Sequence, residues 1–104
     1  VAGNTLTSGG NTITAIGAAN TASSAGTEQF GLRLTAAGGS GAVAAPYAAA
    51  GFAFDSGAFP DQVASAGGAS SNTTYSARYL ANITASTEAG SYTATLTYVA
   101  TANF

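Results

Sequence analysis

The chain contains no cysteine, histidine, methionine, tryptophan or lysine, and charged residues make up only 6% of it. An ordinary soluble domain carries about 25% charged residues. Without cysteine no disulfide can form, and without cysteine or histidine most transition-metal sites lose their usual ligands. Without histidine or lysine, nothing activates the many Ser and Thr hydroxyls for nucleophilic work. Two arginines and a net charge of −2 exclude nucleic acid and anionic membrane surfaces as partners. No apolar run approaches the roughly 18 residues of a spanning helix, so no membrane insertion is expected. No enzymatic activity, cofactor or metal is expected. The chain begins at Val1 with no initiator Met and no signal-peptide pattern, as expected of a mature, processed product.

What remains is small, apolar and β-branched. Disorder requires low hydrophobicity with high net charge, and neither holds here. A chain of 104 residues forms one domain. Its larger apolar side chains are few, so the core must be thin. Scaffolds of this kind gain support from disulfides, metals or oligomerisation, and only the last is open here. So little charge also leaves a monomer poorly protected against association.

Period-two alternation is the dominant pattern. Across residues 92–104, Tyr92, Ala94, Leu96, Tyr98, Ala100, Ala102 and Phe104 share one side, with Thr prevailing on the other. This is the signature of a strand with one buried face. At about 3.3 Å per residue it would span roughly 43 Å, well beyond the usual strand. Phe30, Leu32 and Leu34 alternate in the same way within residues 28–35, as do Phe52 and Phe54 within 51–55. In residues 73–85, Tyr75, Ala77, Tyr79, Ala81 and Ile83 fall together. Two short runs, 4–7 and 11–16, flank Ser8-Gly9-Gly10 and read as a hairpin or a kinked arm. Residues 18–26 read as a linker, and Pro46 weakens a helix in the Ala-rich stretch 42–50. A strand is expected around 62–65. The pattern predicts an all-β, antiparallel β-sandwich, immunoglobulin-like or jelly-roll, with residues 79–83 and 92–104 pairing as its last hairpin.

The stretch Tyr79-Leu80-Ala81-Asn82-Ile83, followed by Thr87-Glu88-Ala89-Gly90-Ser91-Tyr92-Thr93-Ala94-Thr95-Leu96-Thr97-Tyr98, resembles the closing hairpin of secreted bacterial cell-surface β-sandwich domains. The similarity extends back to Thr27-Glu28-Gln29-Phe30-Gly31-Leu32. It implies an extracellular, cell-surface location. More distantly the chain is similar to fimbrial and pilus subunits, which polymerise when an arm of one subunit fills a groove in the next.

Several residues have two readings. Asp55 and Asp61 flank a turn, where Asp serves local hydrogen bonding; they could instead belong to an acid–base pair or join backbone carbonyls around Ca²⁺. Arg33 and Arg78 point outward from their strands, as solvated charges, as ion-pair partners of Glu28 or Glu88, or as contacts that register one subunit on another. Tyr75, Tyr79, Tyr92 and Tyr98 are expected to pack in a core or interface; the alternative is a sugar-stacking platform, which would prefer the absent Trp. Asn72 and Asn82 fit the N-glycosylation pattern, which chance also produces in a Thr-rich chain.

Residues 1–19 are either a first hairpin or an extended arm donated to a neighbour, with 20–104 forming the sandwich. The candidate donor contacts are Val1, Leu6, Ile13 and Ile16. The candidate acceptor groove or core comprises Phe30, Leu32, Leu34, Tyr79, Ile83, Tyr92, Leu96, Tyr98 and Phe104. Strand addition draws affinity from main-chain hydrogen bonds, and a head-to-tail contact generates a filament. The expected function is a structural subunit of an extracellular filament or pilus whose partner is itself, with surface glycans as a further partner. The alternatives are an adhesin or carbohydrate-binding module, and a capsid, decoration or surface-layer protein.

Overall fold

The computed structural model describes residues 5–48, 50–55, 57, 60–68 and 71–100. Among them no α-helix forms, and the strands pair antiparallel. Leu6–Ser8 (β1) and Asn11–Ile13 (β2) form a hairpin around Gly9-Gly10, with Gly9 at φ 59°. Tight hairpins need a positive φ in this loop, which glycine adopts without steric cost. Of the two forms considered for the N-terminal segment, residues 6–13 thus take the hairpin.

The main sheet has four strands in the order β3-β6-β4-β8: Gly17–Thr21 (β3), Phe52–Phe54 (β6), Gln29–Ala37 (β4) and Thr74–Asn82 (β8). Strands β4 and β8 pair in register along all nine residues, from Gln29↔Asn82 to Ala37↔Thr74. Two short strands, Ala42–Val43 (β5) and Ala64–Ser65 (β7), form a separate pair. A 3₁₀ turn at Ala45–Tyr47 places Pro46 in its first turn, where a missing N–H costs nothing.

The buried core joins Ile13, Phe30, Leu32, Leu34, Tyr47, Ala53 and Phe54. Leu6, Ile16, Tyr92 and Leu96 pack partly against it. The hairpin therefore contributes Ile13 to its own chain's core.

The expected final hairpin is corrected. Strand β8 pairs with β4, and residues 91–100 form no strand. Their one described backbone bridge to β1 is at Thr93, which exchanges two bonds with Thr7 at 2.9 and 2.8 Å. Their apolar side chains, Ala94, Leu96 and Tyr98, instead meet Tyr79 and Ala81 over the face of β8, so the segment lies across the sheet and not along a strand edge. Alternation survives without the ladder. Tyr92, Ala94 and Leu96 are half-buried, and Ser91, Thr93, Thr95 and Thr97 are exposed. The stretch expected to be a linker holds β3, whose Asn20 donates to the carbonyls of Pro46 and Ala48 at 3.1 and 2.7 Å and accepts from the Gly51 N–H at 3.2 Å.

Candidate functional site

Strand β8 is the feature most exposed to a partner. It pairs with β4 along one edge, and no described strand pairs with the other. All its residues but Leu80 and Asn82 are exposed. An open edge presents a row of backbone donors and acceptors, which isolated proteins blunt with charges, proline, bulges or shortness. Here the strand is nine residues long, contains no proline and carries one charge, Arg78.

One face of β8 borders a groove of about 400 Å³ lined by Leu6, Phe30, Tyr79, Ala81, Ala94, Leu96 and Tyr98. Hairpin, main sheet and C-terminal segment each supply part of its wall. Tyr79 and Tyr98 remain 50% and 54% exposed, and their hydroxyls are hydrogen-bonded to each other across its rim. Tyr79 also stacks parallel to Phe30, with ring centroids 6.5 Å apart.

The opposite face of the β4–β8 pair carries the chain's two arginines, one on each strand. Arg33 and Arg78 are direct cross-strand partners, so their side chains leave the same face of the sheet. Thr35 and Ser76, the next pair along that face, add two hydroxyls. Arg33 is held in place, its guanidinium 4.6 Å above the Phe52 ring and its Nη1 donating to the Ala50 carbonyl at 2.7 Å.

The carboxylates are used elsewhere. Glu28 accepts from the Thr14 N–H at 3.1 Å and from the hydroxyls of Thr14 and Thr87 at 2.8 and 3.0 Å, tying the end of the hairpin to the turn after β8. These bonds, the Thr14 hydroxyl first, hold its pKa below the ordinary glutamate value. A folded-state pKa that is lowered adds stability above the unfolded value and loses it as pH falls through the folded value. Wild-type chain is therefore expected to lose more thermal stability than Glu28→Gln as pH drops below about 4.5. Melting curves of both proteins from pH 6 to pH 3 check this; parallel pH profiles would exclude it.

Asp55 Oδ1 accepts from the Gly57 N–H at 3.0 Å, and Asp61 Oδ2 from the buried Tyr47 hydroxyl at 2.7 Å. Burial, then this carboxylate, pushes the Tyr47 phenol above its ordinary pKa. Among the described residues no group of three or more acidic, histidine or cysteine side chains could hold a metal ion. Gln29, only 7% exposed, accepts from the Ser24 N–H at 2.9 Å and from Asn82 Nδ2 at 2.8 Å. Asn82 Nδ2 also donates to Ser23 Oγ at 3.0 Å. The nitrogen that an N-linked sugar would occupy at Asn82 is thus engaged inside the fold, whereas Asn72 is exposed.

The candidates separate as follows. Phe30, Leu32 and Leu34 are buried, while Tyr79, Leu96 and Tyr98 meet Phe30 at the groove. Tyr92 packs against the core edge and donates its hydroxyl to the Glu88 carbonyl at 2.6 Å. Ile83 joins neither core nor groove: it is 57% exposed, one residue beyond the last β4–β8 pair, Gln29↔Asn82. Leu6, Ile13 and Ile16 all pack on their own chain. Val1 and Phe104 lie outside the described residues. Sequence reasoning missed Ala81 and Ala94 as groove walls, although their period-two spacing from Tyr79 and Leu96 carries the signal. It also missed Gln29, whose neighbours in the sequence give no sign that a polar side chain turns inward. No protein-family model, curated protein or solved structure matches the chain.

Proposed function

We propose that the chain is a structural subunit of an extracellular filament or pilus, its copies joining by β-strand addition along the outer edge of β8. The open nine-residue edge carries this proposal. A strand laid there would satisfy a row of main-chain groups and cover Tyr75 and Tyr79, which are exposed on one face of β8. The scarcity of charge that makes the free chain poorly protected suits a surface destined to be covered. In this scheme the main sheet and the hairpin with residues 91–100 act as the two layers of a sandwich-like domain. If residues 1–19 are the donor, Ile13 must exchange into the neighbouring core, since it lies in its own core in the single chain. The chemistry left by the composition requires no catalysis.

Deleting residues 1–19 would uncover the core, so an edge substitution is the cleaner test. Ala77 is exposed on β8, and a lysine there is the usual device that blocks edge pairing. Full-length chain should form filaments in negative-stain electron microscopy. Ala77→Lys should remain dispersed with an unchanged far-ultraviolet circular dichroism spectrum. A wild-type chain that stays monomeric at high concentration would overturn the assembly reading.

A further inference from the structure

Cross-strand like charges are destabilising, and a chain with only two cations has placed them directly opposite each other. Arg33 is fixed by Phe52 and the Ala50 carbonyl. Arg78 has no partner among the described residues, and no described carboxylate pairs with either arginine. Three of the four acidic groups are engaged within the fold: Glu28 by Thr14 and Thr87, Asp55 by Gly57, and Asp61 by Tyr47. The fourth, Glu88, is exposed and offers only its backbone carbonyl, to Tyr92. One cation and one anion are thus left without a partner among the described side chains of a chain that has almost no charge.

We infer that Arg78, flanked by Arg33, receives the Glu88 carboxylate of a second copy of this chain. The inference rests on the assembly reading above and supplies what that reading lacks, a device that sets the register. Main-chain bonds along an edge fit any strand shifted by two residues, so strand addition alone leaves register loose. A single carboxylate placed against Arg78 selects one alignment, because other alignments leave that guanidinium without an anion. Thr35 and Ser76, beside the arginines on the same face, provide hydroxyls to accept or donate around the incoming group.

The test compares full-length wild type, Arg78→Glu, Glu88→Arg and the double charge swap by sedimentation velocity, at low and high salt. Each single reversal should weaken assembly about tenfold or more at low salt, and the double swap should recover most of it. Wild-type assembly should weaken as salt is raised. If wild type assembles and Ala77→Lys abolishes assembly while neither reversal changes it, the charge contact is overturned and strand addition stands. A double swap no better than the singles also overturns it. If wild type is monomeric but binds oligogalacturonate through Arg78, the arginines recognise an acidic glycan instead, and both proposals fall.

Discussion

Phe54→Ala is expected to lower the free energy of unfolding by about 3–5 kcal/mol, a large share of the ~5–15 kcal/mol of a domain this size. Phe54 is 0% exposed, the one large side chain fully enclosed among the described residues. Its ring lies 4.7 Å from that of Phe30, tilted by 59°, a geometry that adds to simple burial. The surroundings cannot collapse into the vacated space. Strand β6 has three residues and is held on both sides, Gly17 opposite Phe54 and Leu32 opposite Ala53. The cavity term therefore adds to the lost transfer energy. Urea unfolding followed by circular dichroism measures the loss, with an unchanged slope showing that the denatured state is unaffected. If the alanine variant fails to fold, Phe54→Leu, which keeps much of the apolar volume, should still fold and lose about 1–2 kcal/mol. A loss below about 1 kcal/mol for alanine would mean that the core does not depend on this ring.

What could be read in advance divides along a physical line. Periodicity identifies which face of a strand is apolar, and so the burial of Phe30, Leu32 and Leu34 was legible, as was β8 as a strand, but not that its tyrosine face stays exposed. It does not identify the neighbouring strand. Residues 91–97 alternate in burial as their sequence predicts, yet they lie over the face of β8 and share one described bridge with β1, not a ladder. Strand β3 has the sequence Gly-Ala-Ala-Asn-Thr, with no apolar alternation, and exists through its pairing to β6 and the bonds of Asn20. Those are tertiary facts. The candidate surface follows the same division: each arginine was readable as outward-facing, but their juxtaposition is a matter of register between positions 33 and 78. Leu6 carried the right chemistry for a groove, and only the hairpin shows that the groove is its own chain's.

Gly31→Val should destabilise the chain although it replaces a weak strand former by a strong one. Propensity favours valine in strands, and glycine in a strand interior is ordinarily a cost. Gly31 sits in the middle of β4 with its backbone buried, and a Cβ there would stand 2.8 Å from Phe52 Cβ and 3.0 Å from Ile16 Cγ2. The Ile16 methyl can turn aside, but Phe52 Cβ is fixed to the β6 backbone. Alanine is expected to cost about 1–3 kcal/mol, and valine, with two further methyls, more than alanine. The order Gly, Ala, Val in falling stability is the reverse of strand propensity, and urea midpoints of the three proteins measure it. Adding Ile16→Ala to Gly31→Ala should relieve part of the loss and leave the part due to Phe52, whereas simple additivity would mean that the two sites do not touch. Stability equal to or above wild type in the valine variant would show that β6 can move away at no cost. The consequence reaches the outer face. Phe52 is the ring under Arg33, so a side chain at Gly31 that displaces Phe52 also displaces the Arg33 guanidinium, on the strand that pairs with Arg78. A variant that remains folded but assembles in a broader range of sizes would connect the close approach of two strands to the register of the filament.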